Sequence, residues 1–178
     1  MKDIILVGNG PSVMDQKIGH LVDEFKTVVR FNDFVITGYE QFVGTRTDVW
    51  VRNFESKDGQ FIGDTIFLYP KRISSHPQVK HFMNTREFTH VIDEDFYQKV
   101  DDEVGFDHGW SSSGLVMIRH FMSTGRSVTI HGFDHFSRGL HYYENRRGGF
   151  KFHNSERERS YVRSLVASGS VNLIRSFS

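Results

Sequence analysis

Short apolar runs rich in β-branched residues recur along this chain, and between them apolar positions fall at helical spacing. The run "DIILV" (Asp3–Val7) has the pattern of a buried strand and stops at Gly8. Residues 12–25 then place Val13, Ile18, Leu21, Val22 and Phe25 on one stripe, which predicts a helix. "TVVRFN" (Thr27–Asn32), "TDVWVRN" (Thr47–Asn53), "DTIFLYP" (Asp64–Pro70) and the weaker "THVID" (Thr89–Asp93) predict four further strands. The stretch "SGLVMIRHFMST" (Ser113–Thr124) is apolar on most sides, as a helix buried between layers would be. "SVTIHGFD" (Ser127–Asp134) returns to strand, residues 155–167 read as helix, and "SVNLIRS" (Ser170–Ser176) closes the pattern. Strands alternating with helices predict an α/β fold, a single Rossmann-like domain over 1–178 with a mostly parallel sheet flanked by helices.

Residues 134–154 break the pattern: they are polar and Gly-rich, lack apolar periodicity and follow a strand. Long irregular segments in compact domains are usually lids or binding loops, or else disordered. In an open parallel sheet, ligands sit beyond the carboxyl ends of the strands. The stretch "HYYENRRGGFKFHNSERE" (His141–Glu158) is therefore expected over the site, with a lid at 135–152.

Composition narrows the function classes. With 178 residues and 38% hydrophobic residues, the chain is long enough for one substantial core. Lys plus Arg and Asp plus Glu balance at 22 each, so no general basicity points to nucleic acid. There is no cysteine, which excludes disulfides and thiolate metal sites. No apolar run reaches the length of a membrane span, and Ile4–Val7 is too short for a signal peptide. These features predict a soluble, cytoplasmic protein, compatible with peripheral attachment to a membrane, and leave its oligomeric state open.

Several motifs could carry chemistry. "GNGPS" (Gly8–Ser12) follows the first strand and opens the first helix. Glycines there admit a close backbone approach, Pro11 suits a first helical turn, and a helix start attracts an anion; a ligand-free tight turn is the alternative. A dinucleotide fingerprint would need glycine at Val13, and no phosphate-loop lysine follows. Asp33 imitates the ribose-binding acid of such folds without the matching glycines. Asn32 and Asn53, each just after a strand, could read a base or sugar, or could close Asx-turns. Arg30 reads as a structural or surface partner rather than a catalytic residue. In "WSSSG" (Trp110–Gly114), Ser112 or Ser113 could cap the apolar helix, and the same helix start could hold a phosphate or carboxylate. "DED" (Asp93–Asp95) has the outline of a divalent-cation motif, but it reads as readily as a solvated helix start, and no metal is expected.

The remaining cluster is His141, Tyr142 and His153. Ser155 and Glu158 have capping-box spacing, which predicts a helix starting at Ser155 with His153 just before it. The field at that helix start favours neutral imidazole, a form suited to taking a proton from a hydroxyl. Glu158 is either the capping-box partner or a catalytic group.

"GNGPS", "RFN", "SSGLVMIRHFMSTGRSVTIHGFD", "HYYE" and "HNSERE" together resemble the sialyltransferase motifs in order and approximate spacing, over most of the chain from Ile4 to about Leu165. The first resembles the small bacterial enzymes; the long Ser112–Asp134 segment and the H-x4-E of His153 and Glu158 are similar to the animal ones. The resemblance implies a GT-A variant fold and a CMP-activated sugar donor. It further implies inversion at the anomeric carbon, no metal or other cofactor, and a glycan or lipid-linked saccharide acceptor. Carried over by position, Gly8, Asn9, Gly10, Ser12, Asn32, Asn53, Ser112, Ser113 and Gly114 would contact the CMP part of the donor. Tyr142, with His141, would donate hydrogen bonds to the departing phosphate, and His153 would be the general base. The chain departs from the bacterial pattern at Phe136, where a phosphate-binding tyrosine is usual. A transferase for CMP-Kdo or another nonulosonic acid, or an inactive nucleotide-binding module, are the alternatives.

Overall fold

The computed structural model describes residues 2–57, 63–85, 88–106, 108–135, 137, 141–144 and 153–174. Seven strands form one sheet: β1 (Ile4–Val7), β2 (Thr27–Phe31), β3 (Val49–Arg52), β4 (Asp64–Phe67), β5 (His90–Val91), β6 (Val128–His131) and β7 (Val171–Leu173). Their spatial order is β5-β4-β3-β2-β1-β6-β7, and every neighbouring pair is parallel. The chain thus steps outward from β1 to β5, then crosses back to lay β6 on the other side of β1. The switch of direction falls between β1 and β6, the place where open parallel sheets form their ligand crevice. This is the parallel α/β architecture that the alternating pattern predicts.

Among the described residues, six α-helices cover the two faces: α1 (Gly19–Val22), α2 (Glu40–Val43), α3 (Pro77–Thr85), α4 (Glu94–Val104), α5 (Ser113–Ser123) and α6 (Ser155–Ala167). Alternate residues of a strand face opposite sides, and β1 shows it directly. Ile4 and Leu6 pack with Leu115, Ile118 and Val162 under α5 and α6, while Ile5 and Val7 pack with Val13, Val22 and Val43 on the other face. With both faces covered, all four residues of β1 and of β6 are buried, which is why β1 reads as a continuous apolar run, while β6 buries Thr129 and His131 beside Val128 and Ile130. A smaller cluster of Phe67, Val79 and Phe82 seats α3 beside β4. Among the described residues, no helix is long and apolar enough to cross a membrane.

Two local expectations are corrected. Residues 12–25 do not form one helix: a 3-10 turn (Pro11–Asp15) gives way to extended Gln16 (φ −142°) before the short α1. The break lets α1 cross α2 at van der Waals contact, since a Cβ on Gly19 would lie 2.0 Å from the Glu40 carbonyl oxygen. The capping box also fails. The N-cap of α6 is Asn154, whose side chain accepts from the Arg157 amide at 3.2 Å, and Glu158 turns into the core instead. Arg30 is structural, as its sequence position suggests, and only 1% exposed. It donates to the carbonyls of Arg46 (3.0 Å) and Val43 (2.8 Å), and burial pulls its guanidinium down to about 10.

Candidate active site

The carboxyl ends of the parallel strands share one edge, and the motif residues collect there. At the seam, the Gly8 amide donates to the His131 carbonyl (2.8 Å) and the Gly10 amide to the Gly132 carbonyl (3.0 Å). A Cβ on either Gly8 or Gly10 would come within 2.6 Å of the Gly132 oxygen. The close approach that these glycines permit is therefore made to the loop after β6. Gly132 reciprocates with φ +74°, a left-handed conformation that glycine adopts without strain. The Ser12 amide, expected to face an anion, donates to the Asp134 carboxylate at 2.7 Å. The chain fills that helix-start position with its own carboxylate.

The three asparagines link neighbouring strand ends. Asn9 donates from Nδ2 to the carbonyls of Phe31 (2.9 Å) and Asp33 (3.2 Å), tying the end of β1 to that of β2. Asn32 sits at φ +47°, and its Oδ1 accepts from the Asn53 amide (3.3 Å) and the Ser56 hydroxyl (3.2 Å). Asn53 closes an Asx-turn to the Glu55 amide at 2.9 Å. Ser56, which no sequence motif singles out, joins both. Asp33 accepts from the Lys57 amide at 2.8 Å.

On the other face, Ser112 caps α5: its Oγ accepts from the Leu115 amide at 3.3 Å, and Ser113 is the first helical residue. Gly114 lies under Phe133, where a Cβ would meet the ring at 2.6 Å. Ser112 also donates from its amide (2.9 Å) and its hydroxyl to Glu158, which is 2% exposed. His135 Nδ1 lies 3.2 Å from the same carboxylate. Burial pushes the Glu158 carboxyl up, but His135 and the Ser112 hydrogens outweigh it and hold the group below its ordinary range. The sequence carries no signal for this triad, whose members lie up to 46 positions apart.

His153 is half-buried just ahead of α6, with Nδ1 2.9 Å from the Trp110 carbonyl oxygen. A carbonyl oxygen only accepts, so Nδ1 carries the proton and the neutral ring keeps its lone pair on Nε2. Tyr142 lies at the β1–β2 side of the edge. Its amide donates to the Asn9 carbonyl (2.9 Å), its hydroxyl donates to the Val35 carbonyl, and the Val35 amide donates to that hydroxyl (3.2 Å). Burial pushes its phenol up. His141 Nδ1 lies 3.1 Å from Glu144, and its ring stacks on Tyr143 at 5.1 Å. Phe136 and most of the expected lid at 135–152 lie outside the described residues.

Two openings flank this edge. A cavity of about 200 Å³, lined by Ser12, Asp15, His131, Phe133 and Ile174 among others, lies beside the β6–β7 strand ends. A shallower depression of about 630 Å³ lies at the start of α6, lined by Val104, Asn154, Glu156, Arg157, Ser160 and Tyr161. Of the expected donor contacts, only Ser12 lines either. Asp93 of the "DED" outline caps α4, accepting from the Asp95 amide at 2.7 Å, and Asp95 pairs with Lys71. Among the described residues, no group of three or more histidines and carboxylates is placed to hold a metal.

Residues 1–65 match the model of glycosyltransferase family 29 (sialyltransferase). The chain is 23% identical to the Mus musculus CMP-N-acetylneuraminate-beta-galactosamide-alpha-2,3-sialyltransferase 2, an alignment covering 96% of this chain and 56% of that protein. It is 24% identical to the Homo sapiens CMP-N-acetylneuraminate-beta-1,4-galactoside alpha-2,3-sialyltransferase, over 91% of this chain and 54% of the relative. The chain thus spans just over half the length of these relatives. Among solved structures, a mammalian sialyltransferase superposes with TM-score 0.77 at 18% identity, covering 99% of this chain and 70% of the other. The Campylobacter jejuni sialyltransferase CstII, in complex with the substrate analogue cytidine-5'-monophosphate, superposes with TM-score 0.61 at 18% identity, covering 97% and 79%. By the match at its start, the alignments along nearly its whole length and its fold, the chain resembles the sialyltransferases.

Proposed function

We propose that the protein is an inverting, metal-independent glycosyltransferase that moves sialic acid, or a related acid sugar, from a CMP-sugar to a glycan hydroxyl. The observation that carries the reading is the bond from His153 to the Trp110 carbonyl. It leaves Nε2 as the basic nitrogen of a ring standing at the starts of α5 and α6. In one displacement the bond from the anomeric carbon to the phosphate oxygen breaks, and CMP leaves with the bonding electrons. The acceptor oxygen forms the new bond on the opposite face, and its proton passes to His153 Nε2. A nucleotide phosphate leaves as a stable anion, so it needs hydrogen-bond donors more than an acid. Tyr142 and His141 are assigned to that role. The strand-end loops with Gly8, Asn9, Gly10, Ser12, Asn32 and Asn53, and the α5 start with Ser112, Ser113 and Gly114, are assigned to the CMP part.

The relatives' names support N-acetylneuraminate as the transferred sugar and a galactoside as the acceptor. Kdo, an eight-carbon ulosonic acid, and nonulosonic acids other than sialic acid present the same carboxylate next to the anomeric carbon and remain the close variant.

A second reading, a nucleotide-binding module without transfer, is favoured by one observation: the Tyr142 hydroxyl is already committed to the Val35 backbone. Calorimetric titration with CMP, with UMP and NADH as controls, followed by a transfer assay with CMP-sialic acid, tests both. Selective CMP binding with product formation supports the transferase, and selective binding without product supports the module. No CMP binding by the folded protein would contradict both.

A further inference from the structure

The three residues Trp110, Ser111 and Ser112 form a strap whose main chain is held from two sides. Toward α6, the Trp110 carbonyl accepts from His153 Nδ1 (2.9 Å), and the Ser112 amide donates to Glu158 (2.9 Å). Toward α4, the Ser111 amide donates to Asp101 Oδ1 at 2.7 Å, and the Ser111 carbonyl accepts from the Tyr97 hydroxyl. Ser111 is fully buried, Tyr97 is 2% exposed and Asp101 5%. Asp101 and Tyr97 are one helical turn apart and so reach the same peptide pair from one face of α4. Arg72 closes the arrangement, 3.5 Å from the second Asp101 oxygen and 4.9 Å from the centre of the Trp110 ring.

A buried carboxylate is costly to desolvate and is retained where its hydrogen bonds specify a geometry. Here the specified object is the peptide plane between Trp110 and Ser111: its nitrogen is gripped by Asp101, and its oxygen is the atom that fixes the His153 tautomer. We propose that Asp101 and Tyr97 are positioning residues for His153, aiming the Trp110 carbonyl so that the histidine presents Nε2 to the acceptor. The inference rests on His153 being the base. It adds two residues from a helix that carries none of the motifs by which the family is recognised.

The test is the ¹⁵N imidazole spectrum of His153 in the ligand-free protein, for wild type, Asp101→Asn and Tyr97→Phe, read beside the pH profile of transfer. Tyr97→Phe keeps the ring in the core and removes only the hydroxyl, so it reports even where Asp101→Asn does not fold. In wild type, the spectrum should show the proton on Nδ1. In the variants, the two nitrogen shifts should converge as the tautomers mix. The turnover number should fall about 10- to 100-fold, the scale of a misplaced catalytic group, with KM for the CMP-sugar within about twofold. An unchanged His153 spectrum in a folded variant would overturn the positioning role. A spectrum that shifts as expected in a protein that transfers no sugar would instead leave the positioning intact and remove the transferase reading.

Discussion

The β1/β6 seam and the Trp110–Ser112 strap are both loop junctions at the same edge of the sheet, and they are built by opposite means. The seam is backbone against backbone. Gly8, Gly10 and Gly132 interlock so closely that a methyl group on any of them would collide with backbone or side-chain atoms, and the Asp134 carboxylate serves the Ser12 amide. The strap is held by titratable side chains: buried Asp101 and Tyr97 from α4, and buried Glu158 with half-buried His153 from the α6 side. A seam of glycines makes a rigid platform that does not depend on protonation. A strap of carboxylates and a histidine is the part whose charge can change. Under the proposed function, the first would support the ligand and the second would carry the proton chemistry.

The largest expected effect belongs to His153. His153→Ala should lower transfer by about 10²- to 10⁴-fold, the usual contribution of a positioned proton acceptor. CMP affinity by calorimetry should stay within about twofold, because the seam is untouched. Glu158→Ala breaks the other end of the same helix start. Removing one member of a buried charged network typically costs about 3–5 kcal/mol, which chemical denaturation would register.

The pH dependence of that contribution has a definite sign. The folded Glu158 carboxyl is held below its ordinary value of 4.5, so its stabilisation is fully present above pH 4.5 and is lost as pH falls through the folded value. Denaturation curves of wild type and Glu158→Gln should therefore converge in acid below pH 4.5 and separate above it. A gap that widens in acid would contradict this.

Gly132→Ala attacks the seam. It forces a side chain onto φ +74° and to 2.4 Å from Val13, and should cost about 1–3 kcal/mol while leaving the pH profile of transfer unchanged. Asn53→Ala is the mildest change. Loss of its turn should cost about 1 kcal/mol by denaturation. A tenfold weaker CMP affinity on top of that would show that the amide also meets the nucleotide.

Legibility in the sequence divides along the same line. The strand β1 and the helix α5 declare themselves because both of their sides are buried, so apolar runs at Ile4–Val7 or Leu115–Ile118 have no other reading. The helix α4 does not: of its eleven residues only Tyr97, Val100 and Asp101 are buried, and one of those is a carboxylate. The predicted helix over 12–25 is interrupted at extended Gln16, and the close approach of α1 to α2 at Gly19 is a long-range contact that no local pattern contains. The capping-box spacing at Ser155 and Glu158 misled for a related reason, since a buried bond to Ser112, 46 positions away, outcompetes a local cap. The order of motifs along the edge was readable. Which amides and hydroxyls pair with one another was not, because those partners come from different loops.

The most direct measurement compares wild type and His153→Ala side by side with CMP-sialic acid and a galactoside acceptor, following CMP release and product together, with CMP affinity determined on the same preparations. The account predicts product from wild type, little or none from the variant, and equal CMP binding by both. Equal turnover by the two proteins would contradict it.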